Sequence, residues 1–212
     1  MVPAIVVRAA SVAERDRVGA IVYRIHQTSA MDGGPLHRHA DVVIEAAADG
    51  PDLVKVRILR YFADGSEQSD AKKRDLERQL LTGQAKGGFA VPFDSRHTSE
   101  YDYIAGAGTV RFLSLRRDAD HGDGAFTVDG AGHVTGMHYV PDVFPKYVNA
   151  GSVTDTRAEV LPGFWASVRN DQEYDGQYLF IKGHASVVTE MSGYRRYSSR
   201  AAAEAAVEAA TL

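Results

Sequence analysis

Apolar and polar residues alternate along most of this chain in short runs, and a helical stripe is rare. From Gly19, Ile21, Tyr23 and Ile25 alternate with Val22, Arg24 and His26, and the turn-forming stretch Ser29-Ala30-Met31-Asp32-Gly33-Gly34-Pro35 follows. That is a hairpin pattern. The next run sets Ala40, Val42, Ile44 and Ala46 on one face against His37, His39, Asp41, Val43 and Glu45 on the other, and stops at Asp49-Gly50-Pro51. A third run, 53–62, places Val54, Val56, Ile58 and Phe62 opposite Lys55 and Arg57. Three strands in a row with short turns predict an antiparallel meander rather than βαβ winding.

The period changes at Ser69-Asp70. Capping chemistry, charges throughout and a narrow stripe of Leu76, Leu80 and Leu81 predict a surface helix over 70–81, closed by Gly83. Residues 87–98 read as a loop around Phe89, Val91 and Phe93. Strand patterns resume at 101–104, 109–116, 125–129 and 133–140, and again at 154–161, 164–169, 177–185 and 186–197. Polar residues 170–176 and a junction near Gly183 separate the last of these. The opening Val2-Pro3-Ala4-Ile5-Val6-Val7 reads as a strand that starts abruptly, and 199–210 as an alanine-rich helix with little to bury. Roughly ten or eleven strands to one clear helix predict a single antiparallel β-rich domain over 1–198, with a helical tail over 199–212.

Several strands are apolar on both faces, for example Leu179 and Ile181 against Tyr178 and Phe180. A sheet solvated on one side would alternate more cleanly, so the expected fold is mainly β (α+β): a curved antiparallel sheet or incomplete barrel with one or two helices. Such a sheet either encloses an apolar cavity or has a dry core, and the pattern fits both. The residues placed at the wall are Val54, Val56, Ile58, Phe112, Phe126, Val128, Trp165, Leu179 and Ile181; each fits a dry core equally.

Composition adds exclusions. Across 212 residues, 24 basic side chains face 28 acidic ones and cysteine is absent, which excludes disulfides, thiolate nucleophiles and thiolate-bound metal, and argues against nucleic acid as a partner. The apolar start is too short to span a bilayer and lacks the basic residues of a secretory signal, so a leader already removed is the expectation.

The most suggestive polar set is His37-Arg38-His39-Ala40-Asp41. A strand points both imidazoles and the carboxylate to one face, roughly 7 Å apart, and His-His-carboxylate suits a metal ion. With His138 or His184 as a third imidazole it would make a metal-dependent hydrolase; as a solvated face it would do nothing. Asp118, Asp120 and Asp123 fail the calcium-loop pattern, because Gly122 and Asp123 stand where an oxygen ligand and the glycine are required. Neither Gly106-Ala107-Gly108 nor Gly130-Ala131-Gly132 continues into a dinucleotide fingerprint, so no cofactor is expected. Tyr101, Tyr103, Tyr194, Arg195, Arg196 and Tyr197 could stack on bases or sugars, but in strands they fit cross-strand packing better.

The second half resembles the LolA-like, outer-membrane-lipoprotein-sorting type of envelope protein. The likeness lies in the turn-flanked stretch from Gly124-Ala125-Phe126-Thr127-Val128 to Gly132-His133-Val134, the connection Val140-Pro141-Asp142-Val143-Phe144-Pro145, and the closing Ser192-Gly193-Tyr194-Arg195-Arg196-Tyr197. It covers residues 100 to 198 in pattern and the rest in strand order only, and no binding residue of that family carries over individually. The resemblance implies an incomplete barrel around helices and an apolar cavity for acyl chains. The expected function is therefore a non-enzymatic carrier of a lipid or lipoprotein in the periplasm or cell envelope, with no nucleic acid and a transient envelope protein as partner. The alternatives are the hydrolase centred on His37, His39 and Asp41, and an interaction module without a small ligand.

Overall fold

The alternating runs form strands in a computed structural model, which describes residues 2–16, 19–82, 89–179 and 181–212, with Tyr178 described by its backbone only. The expectations that fall on Met1, Gly83, residues 87–88, Phe180 and the Tyr178 side chain lie outside the described residues. In chain order the first elements are α1 (Ala4–Asp16), β1 (Ala20–Gly33), β2 (Leu36–Asp49), β3 (Asp52–Ala63), the two-residue β4 (Ser66–Glu67) and α2 (Asp70–Thr82). A 3₁₀ turn (Thr98–Glu100) leads into β5 (Tyr101–Ala105), β6 (Thr109–Ser114), β7 (Gly122–Val128), β8 (Val134–Pro141) and β9 (Val148–Leu161). Then come β10 (Phe164–Tyr178), β11 (Ile181–Tyr197) and α3 (Arg200–Glu208). The strand order is β4-β3-β2-β1-β11-β10-β9-β8-β7-β6-β5. The fold is mostly β and antiparallel, with three α-helices among the described residues.

The chain groups into two compact units, one of residues 1–16 and 87–184 and the other of 17–86 and 185–212. In the second unit, β1 and β2 pair over their whole length and β2 pairs β3 with two bulges. One face buries Val42, Ile44, Ala46, Val56 and Ile58 beneath Leu76 and Leu80 of α2. The other buries Ala20, Val22 and Ala47 beneath Ala203 and Val207 of α3. Both faces are thus apolar because each carries a helix. Ser199 caps α3, its Oγ accepting from Ala202 N–H at 3.2 Å. As predicted, α2 is a surface helix; none of its residues is buried.

In the first unit the opening segment departs from expectation: it is α1, not a strand. Pro3 starts the helix, its carbonyl accepting from Val6 N–H at 3.0 Å and Val7 N–H at 3.1 Å, and Val6, Ala9 and Ala10 recur at helical spacing on the buried face. The polar stretch 170–176 is likewise strand rather than turn, paired from Asn170↔Asp155 to Tyr174↔Gly151. Gly151 makes room for this pairing, since a Cβ there would stand 2.4 Å from the Tyr174 ring. The turn falls instead at Leu179, whose φ is 55°, and β11 then runs unbroken past Gly183.

Candidate functional site

The inward-facing residues of the first unit form one apolar cluster. Tyr101 on β5, Val110 and Phe112 on β6, Phe126 and Val128 on β7, and Val134 and Met137 on β8 pack with Val6 and Ala9 of α1. A strap over residues 89–93 completes it. Phe93 meets Phe126 edge-on with ring centres 5.3 Å apart, and Phe89 stacks on Tyr139 at 3.6 Å. The strap is held by its carbonyls: Tyr101 Oη–H donates to Ala90 O, and Tyr103 Oη–H to Pro92 O at 2.7 Å. Burial pushes both phenols well above their ordinary range, which keeps them protonated and donating.

At the border of this cluster the packing opens into a hollow of about 450 Å³, lined by Ala4, Ile5, Arg8, Gly108, Val128, Asp129, Gly130 and Gly132. That size lies within the range of small-molecule sites, roughly 300–1,000 Å³. Ile5 and Val128 give it apolar walls continuous with the core. Gly132, at φ 99°, lies under the Arg8 side chain; a Cβ there would be 2.9 Å from Arg8 Cγ. Asp129 is turned to its own loop, accepting from Ala131 N–H at 2.9 Å, His133 N–H at 2.8 Å and the His133 ring at 2.9 Å. Burial would raise the Asp129 carboxyl, but these His133 bonds outweigh it and hold the group below its ordinary value. Arg8, exposed, has no ion-pair partner among the described residues. The hollow therefore combines apolar walls with a cation that has no direct ion pair among the described residues and a carboxylate, Asp129, that is bonded to its own loop.

The residues placed at the wall are distributed over several layers. Phe112 and Phe126 are fully buried beneath α1 and the strap, and Val128 alone of the nine lines this hollow. Trp165 stacks on His133 with ring centres 4.8 Å apart. In the second unit Val56 and Ile58 lie beneath α2, and Val54 packs beside α3. Leu179 is 72% exposed in its turn, and Ile181 is half-buried at the start of β11. Sequence reasoning missed Ile5 and Arg8, because it read their segment as a strand; Pro3 ahead of a small-residue stripe was the available signal.

The second unit holds a hollow of about 340 Å³, lined by Thr28, Ser29, Ala30, His39, Ala40, Asp41, Phe62, Asp64, Gly65, Ser186 and Val188. His39 and Asp41 line it, whereas His37 turns to Asp32 at 2.7 Å. Asp41 accepts from Arg60 at 2.8 Å and meets His26 at 3.4 Å, while Asp64 takes Arg38 and, at 3.0 Å, His39 N–H. His138 and His184 belong to the other unit. There His138 bonds Thr154 at 3.0 Å, and His184 lies between Glu173 at 2.8 Å and Asp175 at 2.9 Å. Among the described residues, no group of three or more His, Asp or Glu is placed to hold a metal ion. The aromatic and basic residues pack across strands, Tyr23 stacking on Tyr194 at 5.2 Å and Tyr197 joining the α3 layer.

No protein-family model and no curated protein matches this chain. Among solved structures the chain is similar to several, a lipoprotein-sorting domain among them. That Vibrio parahaemolyticus domain, named for outer membrane lipoprotein sorting, is 10% identical with a TM-score of 0.44, covering 89% of this chain and 92% of its own. A DUF1329 family protein from Desulfovibrio piger is 11% identical with a TM-score of 0.44 and 93% coverage of each chain. A structure of lipid–protein interactions in lipovitellin is 10% identical with a TM-score of 0.43 over 86% of this chain, which spans about a quarter of it (26%). What this chain binds has to be read from its own residues.

One polar network, with His121 buried at its centre, ties the strap to the sheet. His121, 3% exposed, lies between Asp118 at 2.5 Å and Glu100 at 3.1 Å, and Glu100 also takes His97 at 2.8 Å and Arg116 at 2.9 Å. The neighbouring Asp120 carbonyl accepts from Ala90 N–H at 2.6 Å. Burial would lower the His121 pKa, but the two carboxylates outweigh it and raise it, while Asp118 and Glu100 are lowered. A raised imidazole stabilises fully below its unfolded pKa and ceases to as pH rises through the folded one; a lowered carboxyl stabilises above its unfolded pKa and ceases to as pH falls. Stability should therefore be greatest between about pH 5 and 6.5 and decline on either side. Melting temperatures across pH should show that decline above neutrality in the native chain and lack it in His121→Gln.

Proposed function

We propose that this chain is a non-enzymatic carrier that takes the acyl chain of a lipid or lipoprotein into the first unit's hollow, with an anionic head group at Arg8. The observation that supports it is the pairing of Ile5 and Val128 with an unpartnered guanidinium around about 450 Å³. Burial of methylenes supplies the affinity, and the cation selects the head group. Displacing Phe89 and Phe93 of the strap would let a longer chain reach Phe112 and Phe126. Such a carrier belongs in the periplasm or cell envelope.

Titration with saturated fatty acids, competing against a fluorescent analogue, tests this reading. Each two-carbon extension should tighten binding about tenfold until the hollow is filled, from about 0.8 kcal/mol per methylene. Arg8→Gln should weaken fatty acids about tenfold while leaving the matching alcohols unchanged. Affinity independent of chain length and of Arg8, or no saturable binding, would refute the carrier.

A further inference from the structure

The hollow of about 340 Å³ in the second unit is lined by strand and turn residues, with no helix residue among them. Its floor follows from the register. Thr28 pairs with Asp41 and Asp41 with Phe62, so these three form one cross-strand row. Ala30 pairs with His39, and the His39 carbonyl accepts from Asp64 N–H at 2.8 Å, which sets a second row beside the first. Side chains two apart on a strand share a face, so both rows point the same way, roughly 7 Å apart along the strands. Beside β1, β11 adds Ser186 and Val188.

The charges here are offset before any ligand arrives. Asp41 is held by Arg60 at 2.8 Å and His26 at 3.4 Å, and Asp64 by the Arg38 guanidinium and, at 3.0 Å, by His39 N–H. Two carboxylates thus answer two guanidinium groups, so net charge selects neither a cation nor an anion. Each carboxylate oxygen keeps a second lone pair, and the bonds it already accepts fix its direction. Burial would raise the Asp41 carboxyl, but Arg60 and His26 outweigh it, and Arg38 and His39 N–H lower that of Asp64, so both stay ionised acceptors. The His39 ring and the hydroxyls of Thr28, Ser29 and Ser186 make no hydrogen bond among the described residues. Phe62, 38% exposed, supplies an aromatic ring.

We propose that this hollow binds a neutral carbohydrate, with the C–H groups of a sugar ring on Phe62 and its hydroxyls on Asp41, Asp64 and the free side chains beside them. A sugar carries apolar C–H groups and many uncharged donors and acceptors at once, which is the set this hollow answers. Each O–H donated to a fixed carboxylate is a charge-assisted bond, roughly twice as strong as a neutral one, and C–H groups suit the negative face of an aromatic ring. An acyl chain would desolvate both carboxylates without giving them a donor. Part of the hollow stays open to solvent, so binding is weak, with a Kd on the order of 1 mM. The hollow lies in the second unit, and its ligand is independent of any acyl chain in the first.

Saturation-transfer NMR with glucose, galactose, mannose and N-acetylglucosamine tests this. At least one should give saturable transfer. Asp64→Asn keeps an acceptor for His39 N–H and tolerates the left-handed φ of 51° at this position. It should leave the melting temperature unchanged and weaken the sugar about tenfold, because a neutral acceptor replaces a charged one. Phe62→Ala should weaken it by a similar factor, and Arg8→Gln should leave it unchanged. No transfer from any of these sugars, transfer indifferent to Asp64→Asn and Phe62→Ala or dependent on Arg8, or displacement of the sugar by spermidine, inorganic phosphate or a fatty acid would overturn the carbohydrate site.

Discussion

Phe126→Ala is expected to lower stability by about 4 kcal/mol, the range for a buried phenylalanine whose surroundings close only in part. Phe126 is fully buried. Its ring meets Phe93 of the strap at 5.3 Å and Phe112 at 6.1 Å, so truncation leaves a void bounded by rigid rings rather than by side chains free to collapse into it. Urea unfolding should show a lower midpoint with an unchanged slope. Leu179→Ala, at a large apolar residue that is 72% exposed, should stay within about 0.5 kcal/mol. A loss below about 1 kcal/mol at Phe126 would mean that the strap does not fill the unit's interior.

Glu45→Ala should cost less in the other unit, about 1–3 kcal/mol. Glu45 is 1% exposed on β2, where its carboxylate takes Arg24 Nε at 2.9 Å and the guanidinium of Arg195 from β11. Removing it leaves two like-charged guanidinium groups, 38% and 52% exposed, that turn to water, and Arg24 keeps its bond to the Thr211 carbonyl at 2.9 Å. The buried member is the carboxylate, so removing both arginines and keeping Glu45 strands a buried charge and should cost more than Glu45→Ala, while replacing all three by apolar residues of matching volume should cost less than either. Thermal unfolding of the single, double and triple variants separates these cases.

Strands were legible wherever one face met a core and the other met water or a charged layer. Residues 109–114 show this directly, Val110, Phe112 and Ser114 buried between exposed neighbours, and α2 was legible because its three leucines stand out from continuous charge. α1 was not, since Ile5, Val6 and Val7 have strand propensity and the helix is fixed by packing of Val6, Ala9 and Ala10, a tertiary effect. Polar 170–176 resembled a turn because β-pairing needs only backbone groups, and the part of β9 that pairs with it, 148–155, lies almost wholly ahead of the 154–161 run that alternation showed. The hollow was half legible: Val128 came from alternation, but Arg8 acquires meaning only when α1 brings it over Gly132. Nothing in the β2 period indicated that Asp41 would be taken by Arg60 and His26 from flanking strands instead of joining His37.

The most direct test of an acyl chain in the first unit's hollow is photo-crosslinking with a diazirine-bearing fatty acid, mapped by mass spectrometry. Labelling should fall on Ile5 and Val128, spread to Phe89 or Phe93 with longer chains, and diminish when unlabelled fatty acid competes. Saturable labelling confined to the Phe62 and Val188 hollow, or no competition at all, would contradict the account.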